Sequence, residues 1–180
     1  DIANAYNAGD SRRNNIADSY TNTESVVVPA KYVRGYVERE VGNGYLDSGA
    51  DWYILRYADV LLMYAEALNE ANQGPTVDAI DAINLVRVRA GLAPIGALSY
   101  SAFQAEVYDQ ERLESPFEGN RWFDLLRTGR ALTVMNSKVS TPGSNSTIGI
   151  SAPIQEFQLL LPIPLIVTTT SPVIEQNPGY

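Results

Sequence analysis

Residues 51–74 read DWYILRYADVLLMYAEALNEANQG, and this stretch decides the fold because its residue types recur at helical spacing. It predicts a helix over residues 54–73, with Asp51 as the N-cap. A surface helix needs one apolar stripe, so two stripes predict neighbours on both sides and a core position for Tyr57 and Tyr64. The first stripe is Ile54, Ala58, Leu61, Ala65 and Leu68, and the second stripe is Tyr57, Val60, Tyr64, Ala67 and Ala71.

A second helix is predicted directly after the stop signal Gly74-Pro75. Thr76 is placed to cap this helix, and Gly91 is placed to end it. Two helices joined by so short a turn form an antiparallel hairpin, which resembles one tetratricopeptide unit. The apolar residues of the second helix are Ala79/Ile80, Ile83, Val86/Leu85 and Ala90.

A third helix is predicted from a capping box at residues 101–104, SAFQ, and Pro116 interrupts it. Its apolar residues Phe103, Val107 and Leu113 are expected to point inward. The charged residues expected to point mostly outward are Glu106, Asp109, Glu111, Arg112 and Glu114.

The remaining chain is predicted to be less regular. A fourth short helix over residues 119–128 is expected to bury Trp122, Leu125 and Leu126, and residues 137–158 form a long surface loop. Residues 159–164 hold two prolines within an apolar run, so they are expected to be extended and buried. Residues 168–180 are expected to form an extended tail.

The predicted fold class is therefore mostly α, with a tetratricopeptide-like helical hairpin, further helices, long irregular loops and minor β-structure. Residues 1–180 are expected to form a single domain or a fragment of one. Within it, residues 1–50 are a loop-rich lead-in, residues 51–130 a helical core and residues 131–180 an extended loop and tail.

The composition excludes several classes of site. The formal net charge is -8, whereas nucleic-acid binding requires a basic face. The chain has no Cys and no His, which excludes disulfides, thiolate or His-ligated metal sites and a Ser-His-Asp triad. No apolar run approaches the roughly 20 residues of a membrane helix. No cofactor is expected.

The charged residues are interpreted mainly as ion pairs. Arg56 and Asp59 lie three residues apart on one helix face and are expected to pair. Arg87 and Arg89 are expected to bind carbonyl groups or acids at the end of the second helix.

Two carboxylate pairs, Glu114/Glu118 and Glu118/Asp124, have the residue types that glycoside hydrolysis needs. Arginines alternate with these residues, so the carboxylates are expected to be ion-paired and held ionised, which makes them poor general acids. No catalytic residue is predicted.

Aromatic residues in or beside loops are the candidates for sugar binding, because flat rings stack on the C–H faces of a pyranose. The alternative for each is packing. Tyr45 and Trp52 are the predicted glycan-binding residues. The full set of candidates is Tyr32, Tyr36, Tyr45, Trp52 and Tyr100.

Four blocks of sequence, which follow one another in the family's order, resemble the SusD/RagB family of outer-membrane nutrient-binding lipoproteins from Bacteroidetes. They cover residues 52–180, and the lead-in is compatible with the family. Ser115-Pro116 replaces the family's usual Leu-Ala pair, and residues 165–171 lack its common Gln-Ser-Glu-Ile pattern. The blocks are LRYADVLLMYAEALNE (55–70), INLVRVRAGL (83–92), ESPFEGNRWFDLLRTGR (114–130), and LLPIP (160–164) with QNPGY (176–180).

The resemblance implies a non-catalytic protein at the cell surface of the outer membrane. It would bind an oligosaccharide for delivery to a TonB-dependent, SusC-like transporter, with no nucleic-acid partner. Family members carry an N-terminal lipid-anchoring cysteine and several helical hairpins upstream of these blocks. The chain is therefore expected to be a C-terminal part, with the membrane anchor upstream and one stripe of the main helix meeting the upstream helices.

Two alternatives to glycan binding stay open. One is a protein-interaction scaffold, or a peptide-binding member of the family, that binds no glycan. The other, less favoured, is a glycoside hydrolase.

Overall fold

The computed structural model describes residues 2–17, 28, 29, 31, 53–139, 150–171 and 173–180. Its elements confirm the mostly α fold class with minor β-structure. The chain divides into two compact units, Asp1–Gly119 and Asn120–Tyr180. In the described ranges the α-helices are α1 (Tyr57–Asn72), α2 (Val77–Arg89), α3 (Tyr100–Glu114), α4 (Arg121–Arg127), α5 (Ala131–Asn136) and α6 (Leu165–Thr170); the 3-10 helices are Ile2–Asn4, Ser11–Asn15 and Glu156–Leu159; and the strands are β1 (Ile16–Ala17) and β2 (Val28–Pro29), paired antiparallel.

Helix α1 begins three residues later than predicted, and its N-cap is Arg56 rather than Asp51. Arg56 is extended, and its backbone N–H donates to the Asp59 carboxylate at 2.8 Å. The Asp59 carboxylate thus accepts from a backbone N–H group that precedes the first turn. Its negative charge also interacts favourably with the positive end of the helix dipole. The helix ends at Asn72, and the left-handed conformation of its C-cap Gln73 (φ 52°) lets Gly74 N–H donate to Asn69 O at 3.1 Å.

The predicted hairpin of α1 and α2 is confirmed. The Thr76 hydroxyl accepts a hydrogen bond from Ala79 N–H at 3.2 Å, so Thr76 is the N-cap of α2. Gly91 follows the helix with φ 85°, a left-handed conformation that glycine adopts without steric cost.

Helix α3 is capped by Ser99, so the predicted capping box at residue 101 is wrong. The Ser99 hydroxyl accepts a hydrogen bond from Ala102 N–H at 3.3 Å. The helix ends at Glu114, as the following Ser115-Pro116 predicts. Phe103, Val107 and Leu113 are buried as predicted, but Glu111 and Glu114 are buried as well and do not point outward.

Helices α1, α2 and α3 each contact the other two, and the apolar core lies between them. The first stripe of α1 faces this core, with Ala65 buried and Ala58, Leu61 and Leu68 partly buried, whereas Ile54 lies before the helix and is exposed. The core residues are Leu62, Ala65, Ala79, Ala82, Ile83, Val86, Phe103 and Val107.

The second stripe of α1 is exposed in this chain, and its cover by upstream helices stays a prediction. Tyr57 is 73% exposed and Tyr64 is 47% exposed, so neither lies in the core. Because α2 and α3 contact each other as well as α1, both lie on the same side of α1. The described part of the chain supplies burial for one stripe only.

In the unit Asn120–Tyr180, helix α4 buries Leu125, while Trp122 and Leu126 are half-buried rather than core residues. Residues 159–164 are not buried as predicted, since Leu160 and Leu161 are exposed. The predicted extended tail is interrupted by α6, where the Thr169 hydroxyl donates to Leu165 O at 2.8 Å and supports a helical turn.

The C-terminal residues of this unit fold back on its 3-10 helix Glu156–Leu159. The rings of Phe157 and Tyr180 meet edge to face with centroids 5.1 Å apart. Gln176 donates to Ile163 O and accepts from Ile163 N–H, each at 2.8 Å, in the manner of a strand partner. The tail is therefore held by specific hydrogen bonds.

Candidate functional site

The predicted glycan-binding residues Tyr45 and Trp52 lie outside the described residues, as do Tyr32 and Tyr36. Tyr100, the remaining candidate, opens helix α3. Its hydroxyl donates to the Glu70 carboxylate at 2.7 and 2.8 Å, and that hydrogen bond raises the pKa of Tyr100. The Tyr100 hydroxyl is therefore engaged in joining α1 to α3.

Other aromatic rings are exposed where the sequence predicts burial. Tyr57 and Tyr64 lie on the second stripe of α1, and Tyr53 and Leu55 are exposed just before the helix. With Val60 between them, Tyr57 and Tyr64 form an apolar surface along the helix. A surface of this kind suits a contact with another protein element.

Several charged residues of the first unit meet at the end of α3. We call this set of residues the ionic cluster. At its centre is Glu114, whose carboxylate is buried. Arg56 donates to Oε1 at 2.8 Å, while Arg89 and Arg12 donate to Oε2, the latter at 3.4 Å. The cluster consists of Asp10, Arg12, Lys31, Arg56, Arg89, Glu114 and Glu118.

The pKa of Glu114 is set by two opposing effects. Burial raises the pKa, but the hydrogen bond from Arg56 and the charges of Arg89, Arg56 and Arg12 lower it by more. The net result is a pKa below the ordinary value of 4.5, so Glu114 is ionised at neutral pH.

Glu118 lies four residues after Glu114, beyond the end of α3, and is also buried. Its Oε2 accepts hydrogen bonds from Arg56, at 2.9 Å from Nη2 and 3.2 Å from Nε, and its Oε1 is paired with the Lys31 ammonium. Lys31 and Arg56 also donate to the backbone carbonyl of Glu114, at 3.1 and 3.2 Å.

Arg12 brings the beginning of the chain into the cluster. Its guanidinium is held by Asp10 through two hydrogen bonds, of 2.9 Å to Oδ1 and 2.7 Å to Oδ2. A third hydrogen bond of 2.9 Å joins it to Gln110 on α3. Such paired N–H···O contacts are the strong geometry for a guanidinium with a carboxylate.

The predicted ion pairing of the two carboxylates is confirmed, and so is the Arg56–Asp59 pair at 3.1 Å. A glycosidase acid must hold a proton near neutral pH, which requires a raised pKa. Glu114 shows the opposite shift, and Glu118 is paired with two cations. The cluster is therefore suited to holding chain segments together.

Sequence patterns do not indicate the roles of Arg12 and Lys31. Arg12 lies 102 residues from Glu114 along the chain, and Lys31 lies 83 residues from it. Arg89 was expected to bind an acid, but its partner could not be named. Spacing patterns report neighbours on one helix and carry no signal for such distant partners.

A polar cleft of about 280 Å³ lies beside the cluster. Arg87 and Glu106 in its wall are paired with each other, and Gln110 donates to Glu106 at 2.8 Å. The cleft is smaller than the roughly 300–1,000 Å³ of typical ligand pockets. Its lining comprises Ala5, Asn7, Arg87, Glu106, Asp109, Gln110, Arg112 and Leu113.

Across the described ranges, no three His, Cys, Asp or Glu side chains are grouped so that they could hold a metal ion. None of the helices in the same ranges has the length and hydropathy to cross a membrane.

Comparison with known proteins shows a consistent relationship. The sequence profile of the SusD family matches residues 4–180. The SusD-like protein P2 of Formosa agariphila is 30% identical over 148 residues, which are 77% of this chain and 28% of that protein. The chain thus spans less than a third of the length of this curated relative.

Solved structures share the fold. A SusD homolog from Bacteroides thetaiotaomicron matches with a TM-score of 0.77 at 28% identity, over 96% of this chain and 41% of that one. A laminarin-binding SusD-like protein matches with a TM-score of 0.68 at 28% identity, over 99% of this chain and 37% of that one. A sequence match from residue 4 to residue 180 and a shared helical architecture together establish that the chain belongs to the SusD family.

Proposed function

We propose that this chain is part of a non-catalytic protein that binds an oligosaccharide nutrient at the cell surface. The observation that carries the proposal is the match of 99% of the chain to a laminarin-binding SusD-like protein. The bound oligosaccharide would then be delivered to a TonB-dependent, SusC-like transporter in the outer membrane. A lipid anchor upstream of these residues would hold the protein there.

The carboxylates support a non-catalytic role. The pair Glu114/Glu118 is committed to arginine and lysine partners, and the pKa of Glu114 is lowered rather than raised. The third candidate, Asp124, pairs with Arg127 at 3.1 Å. A general acid would need a protonated carboxyl near neutral pH, and the arginines around Glu114 favour its ionised form.

Aromatic stacking is the chemistry we assign to the binding site. Tyr45 and Trp52 are the proposed platforms, because a ring beside a loop is open to the C–H face of a sugar. Neutral sugars carry no charge, so a protein of net negative charge does not repel them. Their hydroxyl groups can be bound by amide and hydroxyl groups of the protein.

The test is a glycan array followed by calorimetry on the intact protein, with laminarin oligosaccharides as the first probe. We expect Tyr45→Ala and Trp52→Ala each to weaken binding by roughly threefold to tenfold. Tyr57→Ala, which removes an exposed ring on α1, is the matched control and should leave the affinity unchanged. Absence of binding to every oligosaccharide, or hydrolysis of one, would overturn the proposal.

The exposed second stripe favours one further candidate, a protein-interaction scaffold. Tyr57, Val60 and Tyr64 form an apolar surface suited to another helix. A scaffold would bind the transporter, while glycans would leave its melting temperature unchanged. A rise in melting temperature with laminarin oligosaccharides would decide for glycan binding.

A further inference from the structure

A second cleft lies on the segment that precedes β1, and we call it the lead-in cleft. Its volume is about 520 Å³, which falls within the roughly 300–1,000 Å³ of typical ligand sites. The cleft is lined by the 3-10 helix Ser11–Asn15 and by a turn in which Asp10 N–H donates to Asn7 O at 3.1 Å. Its aromatic and polar lining residues are Tyr6, Asn7, Asp10, Ser11, Arg13 and Asn14.

The cleft presents amide and hydroxyl groups that are available to a ligand. Asn7, Ser11 and Asn14 are exposed, and none of their side chains is hydrogen-bonded to another described residue. Ser11 and Asn14 are three residues apart on a 3-10 helix, so their side chains project from the same face. Amide and hydroxyl groups both donate and accept hydrogen bonds, as the hydroxyl groups of a sugar require.

The charged side chains of the lining are already engaged. Asp10 is buried and accepts two hydrogen bonds from the Arg12 guanidinium. Arg13 donates to Ile16 O at 2.7 Å. A charged ligand would therefore have to displace an existing contact, whereas a neutral ligand would not.

Tyr6 supplies the aromatic part of the lining. Its hydroxyl donates to Leu113 O at 3.2 Å, and burial raises the pKa of Tyr6 to about 12, so the phenol stays protonated at neutral pH. Because the hydroxyl is engaged, the half-buried ring contributes mainly apolar surface to the cleft. The C–H groups of a pyranose can pack on such a ring.

Contacts with the helices hold the cleft in shape. Ser11 N–H donates to Ala90 O at the end of α2, at 2.8 Å. Arg12, which follows Ser11, donates to Gln110 of α3 at 2.9 Å. A site that is already formed loses less conformational entropy when a ligand binds.

We propose that the lead-in cleft is a carbohydrate-binding subsite, which takes one neutral pyranose unit of an oligosaccharide. The Tyr6 ring packs against the C–H groups of the sugar. Asn7, Ser11 and Asn14 bind its hydroxyl groups. The assignment rests on the proposed function, but it uses neither Tyr45 nor Trp52.

The test is amide hydrogen exchange of the intact protein with and without laminarin oligosaccharides. Backbone amides within residues 10–13 are hydrogen-bonded, so their exchange can be followed. We expect saturating oligosaccharide to slow exchange in residues 6–14 by at least about threefold. In the double variant Asn7→Ala/Asn14→Ala, the oligosaccharide concentration that gives this protection should rise by about tenfold.

Two variants of Tyr6 separate the ring from the hydroxyl. Tyr6→Phe keeps the ring and loses the hydrogen bond to Leu113 O, so the protection should remain. Tyr6→Ala removes the ring, and the protection should be lost. Equal loss of protection in the two variants would overturn the assignment of the ring. Should Tyr6→Ala fail to fold, the double variant Asn7→Ala/Asn14→Ala decides the question, since it changes exposed residues only.

Asn72→Ala is the matched control, because it removes an exposed asparagine of α1 that does not line the cleft. It should leave the protection of residues 6–14 unchanged. Oligosaccharide binding without protection of residues 6–14, or full protection in Asn7→Ala/Asn14→Ala, would overturn the inference while the proposed function stands. If the wild-type protein binds no oligosaccharide at all, the proposed function and the inference both fail.

Discussion

The apolar core and the ionic cluster of the first unit are built in different ways. The core joins residues 62 to 107, whose burial follows from helical spacing within three successive helices. The cluster joins residues 10 to 118, and each of its long-range contacts links a residue that precedes α1, or the end of α2, to Glu114 at the end of α3 or to Glu118 just after it. The difference teaches that apolar packing fixes the helices, while paired charges fix the lead-in onto them.

The largest expected effect is that of breaking the cluster at its centre. Glu114→Gln removes the buried carboxylate that three arginines share, so we expect the free energy of unfolding to fall by about 3–5 kcal/mol. Urea unfolding measures this change. Glu106→Gln removes a part-buried pair with a single arginine and should cost less, about 1–3 kcal/mol. Equal losses for the two variants would show that the shared carboxylate is no more important than a pair with one arginine.

A comparable effect is expected in the apolar core. Leu62→Ala leaves a cavity between α1, α2 and α3, and we expect a loss of about 2–5 kcal/mol in the free energy of unfolding. Met63→Ala on the exposed side of the same helix is the control, and its effect should stay within about 0.5 kcal/mol. A large effect of Met63→Ala would mean that another part of the protein covers this side of α1.

A smaller effect is expected from pH, which should change the contribution of the ionic cluster to stability but not that of the apolar core. Because the folded-state pKa of Glu114 lies below its ordinary value of 4.5, its contribution is fully present above pH 4.5 and is lost as the pH falls through the folded value. The stability difference between wild type and Glu114→Gln should therefore shrink on acidification below about pH 4.5. The difference between wild type and Leu62→Ala should not change in this way, and parallel curves for Glu114→Gln would contradict the assigned pKa.

The smallest effect is expected at an exposed ion pair in the second unit. Asp124 and Arg127 lie 3.1 Å apart, and the Arg127 side chain is 41% exposed. Solvent weakens such pairs, so Asp124→Asn should change the free energy of unfolding by no more than about 1 kcal/mol. Thermal unfolding checks this, and a loss as large as that of Glu114→Gln would show that burial does not account for the strength of the cluster.

Local sequence patterns predicted the hairpin, the Thr76 cap, the Gly91 terminus and the core face of α1, because each depends on residues within one or two turns. They could not separate Ser99 from Ser101 as the cap of α3, since either hydroxyl can accept the same kind of hydrogen bond. They also showed that the second stripe is apolar without showing what covers it. An apolar pattern identifies a surface and leaves its partner unspecified.

The candidate site was less accessible to sequence reasoning. Ion pairing of Glu114 and Glu118 was predicted from the arginines nearby, but their partners include Arg12 and Lys31, which come from distant segments. The placement of α6 was missed because a run of three threonines between prolines favours extended chain, while their hydroxyls can also bond back to helix carbonyls. Tyr45 and Trp52 stay predictions.

Gly91 ends α2, and it also lies against the backbone of Gly9. A β-carbon at this position would lie 2.8 Å from the carbonyl oxygen of Gly9, and Ser11 N–H donates to Ala90 O at 2.8 Å just beside it. One glycine therefore both terminates the helix and leaves room for residues 9–11 to approach its end. A larger side chain at position 91 would push these residues away and break the hydrogen bond from Ser11 to Ala90.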